Sequence, residues 1–155
     1  MAALEWFESI QALRGQVAGL DNAIEEAYAS AGPKGQQMGS IGGNGGGDSF
    51  AGIDRIVDSG MVAERDRLKA RLDHMLERAT EVLYGKSGRG GLAKAKCSVD
   101  ADILCCHYLQ GMGWADIARE IVRKDTSSPS HWCQMRARRA CAYIDRVGMD
   151  WLVEF

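Results

Sequence analysis

Cys105, Cys106 and His107 place two thiols and an imidazole side by side, and His131, Cys133 and Cys141 follow within forty residues. Such groups are zinc ligands, or the partners in a cysteine nucleophile. The spacing opposes both uses. Neighbours on one helix point in different directions, so adjacent cysteines do not converge on one metal, and no C-x-x-C pair exists. His74 lies in a charged stretch, and none of the three histidines has a nucleophile and an acid at a readable catalytic spacing. Five cysteines, an odd number, also argue against a disulfide framework. Cysteine on an apolar helix face is a small buried hydrophobe. The expectation is a non-enzyme with no metal and no cofactor.

Two glycine-rich stretches have some look of phosphate cradles. Gly85-Lys86-Ser87 ends like a P-loop, yet Thr80 stands where that motif needs glycine and no strand precedes it. The run from Gly42 to Gly47 fails the G-x-G-x-x-G spacing in the same way. Both read as connecting segments.

The residues that best support chemistry are basic and polar ones near the C-terminal end. Ser128 is a good N-cap and Pro129 suits the first helical position, so a helix is expected from there to about Val147, with Gly148 as its stop. Trp132, Cys133, Ala137, Ala140, Ile144 and Val147 form its apolar side. His131, Gln134, Arg138 and Asp145 lie opposite, with Arg136, Arg139 and Arg146 at the boundary. A major-groove reader needs this pattern: polar groups in the opening turns to meet base edges and arginines beside them to meet phosphates. Lys124, Ser130, His131, Gln134, Arg136, Arg138 and Arg139 are the candidate DNA-binding residues. Charge distribution agrees. Residues 1–85 carry 8 basic and 13 acidic side chains, whereas residues 86–155 carry 11 basic and 8 acidic, within a chain of net charge -2.

The elements that must hold this helix read as all-α. Trp6, Ile10, Leu13, Val17, Leu20, Ile24 and Ala27 recur at alternating steps of four and three, the seam of a coiled coil. Residues 30–52 are glycine-rich and read as a mobile loop. A second stripe runs from Ile53 and Val57 through Met61, Leu68, Leu72, Met75 and Ala79 to Val82. Residues 1–84 thus predict a long helical hairpin, or helices that pair with a second copy. Residues 85–96 read as a linker. Residues 97–155 predict a three-helix domain: a helix capped by Ser98, a stop at Gly111-Met112-Gly113, a helix over 114–122, and the basic helix.

The stretch Ile103 to Ala118 resembles the fourth region of bacterial sigma factors. That family has a helix ending in an aromatic residue, a glycine-containing turn and a helix with Glu-Ile-Ala, here Asp116-Ile117-Ala118. Ser128 to Ala140 is similar to its recognition helix, with Trp132 and Met135 in the two core slots. The layout as a whole resembles small phage-encoded sigma-like regulators. The connector Arg119 to Ser127 is longer than the family's turn and lacks its glycine. Nothing is similar to the promoter-melting regions of a full sigma factor. The resemblance implies a helix-turn-helix at residues 97–155 and a sequence-specific, DNA-binding transcriptional regulator of phage or prophage origin. Its implied partners are double-stranded DNA, RNA polymerase, and a second copy through the N-terminal helices. Two alternatives stay open: a small terminase-like subunit of phage DNA packaging, and a protein-interaction module without DNA binding that docks through Trp151-Leu152-Val153-Phe155.

No apolar run reaches the roughly 18 residues of a membrane span. No basic segment precedes an apolar one in the opening residues. A cytoplasmic protein without membrane contact is expected.

Overall fold

The computed structural model describes residues 1–31, 59–122 and 128–155, and the protein is all-helical across them. Among the described residues there are seven α-helices: α1 Ala3–Ala31, α2 Met61–Tyr84, α3 Gly91–Ala95, α4 Ser98–Leu104, α5 Trp114–Ile121, α6 Pro129–Val147 and α7 Met149–Glu154. Ser30 and Ala31, expected in a loop, close α1; the rest of the glycine-rich stretch, with Ile53 and Val57, lies outside the described residues. None of the described helices is long and apolar enough to cross a membrane.

The chain forms two compact units, Met1–Leu13 with Leu72–Phe155, and Arg14–Arg71. In the second unit Val17 and Ile24 are buried, and Arg65 of α2 reaches Asp21 of α1 at 3.4 Å. In the first unit Phe7 and Ile10 of α1 are fully buried together with Ala79, Val82 and Leu83 of α2. Burying side chains such as Phe7 and Ile10 stabilises by roughly 1.5–3 kcal/mol each. Phe7, rather than Trp6, takes the core position. Both lie one turn before Ile10, and Phe7 is the one that meets Tyr108, with ring centroids 5.5 Å apart. Trp6 stands edge-on to Phe7 at 5.1 Å and is half-buried.

Residues 85–96, expected as a linker, are folded. Lys86–Gly88 form a 3-10 turn, α3 follows, and Leu92 is fully buried. The glycines here serve close approach: Gly91 has φ +65°, and a Cβ on it would stand 2.5 Å from the backbone nitrogens of Tyr84 and Gly85. The composition suggested entropy, whereas the backbone uses the missing side chains.

Cys97, not Ser98, is the residue before α4. Asp100 in its first turn is buried. The helix loosens into a π-helical turn over Cys105–Leu109, with Gln110 N bonded to Cys105 O at 3.0 Å. The wider turn sends Tyr108 into the core and leaves His107 half-buried, stacked 3.6 Å from the Trp114 ring. Gly111, at φ +77°, ends the segment. α5 buries Ile117 and Ala118 and packs on α6, which also packs on α4. Pro129 opens α6 after Ser128, and Gly148, at φ +90°, closes it, as the sequence predicts.

Candidate nucleic-acid interface

α6 divides along its length. Cys133, Ala137, Ala140, Cys141 and Ile144 are buried, one apolar stripe at helical spacing. The opposite face exposes His131, Arg138, Arg139, Ala142 and Arg146, with the carboxylate of Asp145 exposed at its edge. The result is a cationic strip of three arginines with a small alanine in its middle. Arg146 belongs to this strip although the sequence places it only at a boundary. Its guanidinium lies 5.1 Å over the Tyr143 ring. Continuing the exposed positions one further turn is the signal that would have found it.

The other candidates lie to either side. Ser130 is half-buried in the first turn. Gln134 and Arg138 line a cleft of about 270 Å³ whose far wall is Leu4, Glu8 and Gln11 of α1. Gln11 donates to His107 O at 2.8 Å there. Asp145 accepts from the backbone N–H of Ala3. Gln134, Arg138 and Asp145 of α6 therefore meet the opening of α1, whereas His131, Arg139, Ala142 and Arg146 are exposed without lining that cleft. Lys124 lies outside the described residues.

Arg136 points away from the strip. Its Nε donates to Asp100 Oδ1 at 2.5 Å, its Nη2 to Cys97 Sγ at 3.3 Å, and its guanidinium stacks 4.9 Å over Trp132. Lys96 holds the other oxygen of Asp100. Burial works against the charge on Arg136, but the hydrogen bond and attraction to Asp100 win, and its pKa is raised. Arg136 is a packing cation first, and its availability to a ligand depends on Asp100.

The thiols and imidazoles do not form a reactive set. All five cysteines are free. Burial pushes the Cys105 and Cys106 thiols up, the direction opposite to an activated thiolate. His107 is engaged with the Met112 carbonyl at 2.8 Å. Among the described residues no three His, Cys, Asp or Glu side chains gather to hold a metal ion. What the arrangement offers chemically is an exposed, largely cationic strip on α6. Comparison of the chain with protein-family models, curated proteins and solved structures finds no match.

Proposed function

We propose that the chain is a sequence-specific DNA-binding regulator, similar to sigma region four and of phage or prophage origin, in which α5 and α6 act as a helix-turn-helix. The observation that carries this reading is the strip His131, Arg138, Arg139 and Arg146 on the open face of α6, backed by α4 and α5. A helix that carries several guanidinium groups on one face suits a phosphate backbone, because each can neutralise a phosphate. Ser130 and His131, in the opening turns, are the groups placed to reach base edges, as recognition-helix residues do. Gln134 takes the smaller role, since it shares its cleft with α1.

A protein partner also has a specific observation behind it. Trp151 and Phe155 are 45% and 46% exposed, with ring centroids 4.6 Å apart, while Leu152 and Val153 between them are buried. The last helix thus anchors one side in the core and offers an aromatic pair on the other. RNA polymerase or a second copy fits this reading beside DNA.

The deciding experiment is binding of the purified chain to duplex DNA of random sequence, and to the DNA upstream of its own operon, across a salt series. Loss of affinity with salt, deepened by a combined Arg138→Ala, Arg139→Ala and Arg146→Ala change, supports the reading. Preference for one fragment, weakened by His131→Ala, supports sequence specificity. Absence of binding to either duplex at low salt overturns it and favours the protein partner.

A further inference from the structure

Beside the first turns of α6 lies a hollow of about 260 Å³ walled by Lys96, Asp100, Trp132, Arg136 and Arg139. Its charge balance is uneven. Asp100, 1% exposed, accepts from Lys96 at Oδ2 and from Arg136 at Oδ1, so both of its oxygens are taken. Arg139, exposed at the rim, has no share in it. Among the described lining residues, three cations stand against one carboxylate, an excess of two positive charges.

Arg136 and Lys96 are also held in place. Arg136 is pinned between Asp100 and the Trp132 ring, and Lys96 between Asp100 and the Tyr143 ring, 6.0 Å from its centroid. Arg136 directs Nε to Asp100 and Nη2 to Cys97, which leaves Nη1 for an added acceptor. A buried carboxylate that fixes two cations without neutralising the group is a positioning device. Lys96 and Arg136 keep 27% and 30% of their side-chain surface in water, so both stay within reach of a ligand from the solvent side while Asp100 holds them.

We propose that this hollow seats one backbone phosphate of the duplex lying along α6, an inference that rests on the DNA-binding reading above. A phosphodiester carries one negative charge and two unesterified oxygens, which accept from a guanidinium fork and an ammonium together. Arg139 belongs both to the exposed strip and to the rim, so a backbone crossing the strip passes the mouth of the hollow. The contact fixes the register of α6 without reading sequence. Lys96, which lies outside the basic helix, is the residue this adds to the interface.

The test is the slope of log K against log salt for duplex binding by the full chain, with Lys96→Gln, Arg139→Gln, both together, and Lys69→Gln of α2 as a control. Each phosphate neutralised contributes about 0.9 to that slope. Because the two cations share one phosphate, the double variant is expected to lose about 0.9 in all, not twice that, while Lys69→Gln changes nothing. An unchanged slope in the double variant overturns the seat and leaves the DNA reading standing. A loss near twice 0.9 in the double variant also overturns it, since the cations then serve separate phosphates. Failure of the unaltered chain to bind any duplex overturns the DNA reading, and inorganic pyrophosphate then judges the hollow. A pyrophosphate-induced shift of the Trp132 indole resonance that is lost in Arg139→Gln keeps it as a phosphoryl site, and no shift ends the proposal.

Discussion

Asp145, near the end of α6, accepts a 2.7 Å hydrogen bond from the backbone N–H of Ala3, 142 residues earlier. Ala3 is the first residue of α1, whose opening N–H groups have no partner within the helix. A remote carboxylate thus does what an N-cap side chain does elsewhere, with its charge at the positive end of the helix dipole. The bond joins α1 and α6 at the side of α6 that the sequence assigns to a ligand.

Replacing Asp145 with alanine is therefore expected to cost about 1 kcal/mol, the usual value of a lost cap. Asn keeps an accepting oxygen and should retain most of that stability. Urea unfolding of the two variants checks this. Equal midpoints for Asp145→Ala and the unaltered chain would show that water replaces the carboxylate without loss.

Asp100 should matter more. Removing it leaves Lys96 and Arg136 facing each other without their shared acceptor. Breaking a buried ion pair costs about 3–5 kcal/mol, and here the lower end applies because the Lys96 and Arg136 side chains keep 27% and 30% of their surface in water. Asp100→Asn is expected to lose about 3 kcal/mol, and adding Arg136→Gln to it should recover part of that loss by removing an orphaned cation. Strict additivity of the two changes in a double-mutant cycle would contradict the coupling.

The sequence carries the helices more faithfully than their partners. Pro129 and Gly148 mark both ends of α6 because proline and positive-φ glycine act locally, at the residue itself. Phe7 was missed in favour of Trp6 because both satisfy the same periodicity, and only Tyr108, a hundred residues away, separates them. Arg136 reads as a surface cation for the same reason: its partner Asp100 lies 36 residues earlier, and nothing in the spacing pairs them. The fold class was legible, whereas the two sides of α6 closed by α1 and by Asp100 were not. Those are tertiary facts, and they decide which arginines remain open.

The glycines of residues 85–91 separate composition from geometry. Gly91→Ala places a Cβ within 2.6 Å of three backbone atoms at φ +65°, so left-handed strain and a clash add together. Strain of about 1–2 kcal/mol and overpacking of about 1–3 kcal/mol predict a loss above about 2 kcal/mol. Gly88→Ala meets nothing within 4 Å at φ +71° and should cost only the strain, about 1 kcal/mol. Comparable melting temperatures for the two variants would mean that the backbone near Gly91 yields.

Alkaline pH should unfold the protein through its buried acids. Burial, helped by Asp145 and Glu8, pushes the Cys141 thiol from 9.0 up to about 12. Burial, with Cys141 and Glu8 adding and Arg138 opposing, takes Tyr108 from 10.0 up to about 12. The folded state keeps both protons at pH values where the unfolded chain releases them. Stability is therefore full below about pH 9 and falls as pH rises toward 12, by about tenfold in the folding constant per pH unit for each group between its two pKa values. Unfolding followed from pH 8 to 11 should show this decline, shallower in Cys141→Ala above pH 9 and in Tyr108→Phe above pH 10. If stability stays level over that range, or if Cys141→Ala declines as steeply as the unaltered chain, these two groups do not govern the alkaline limit.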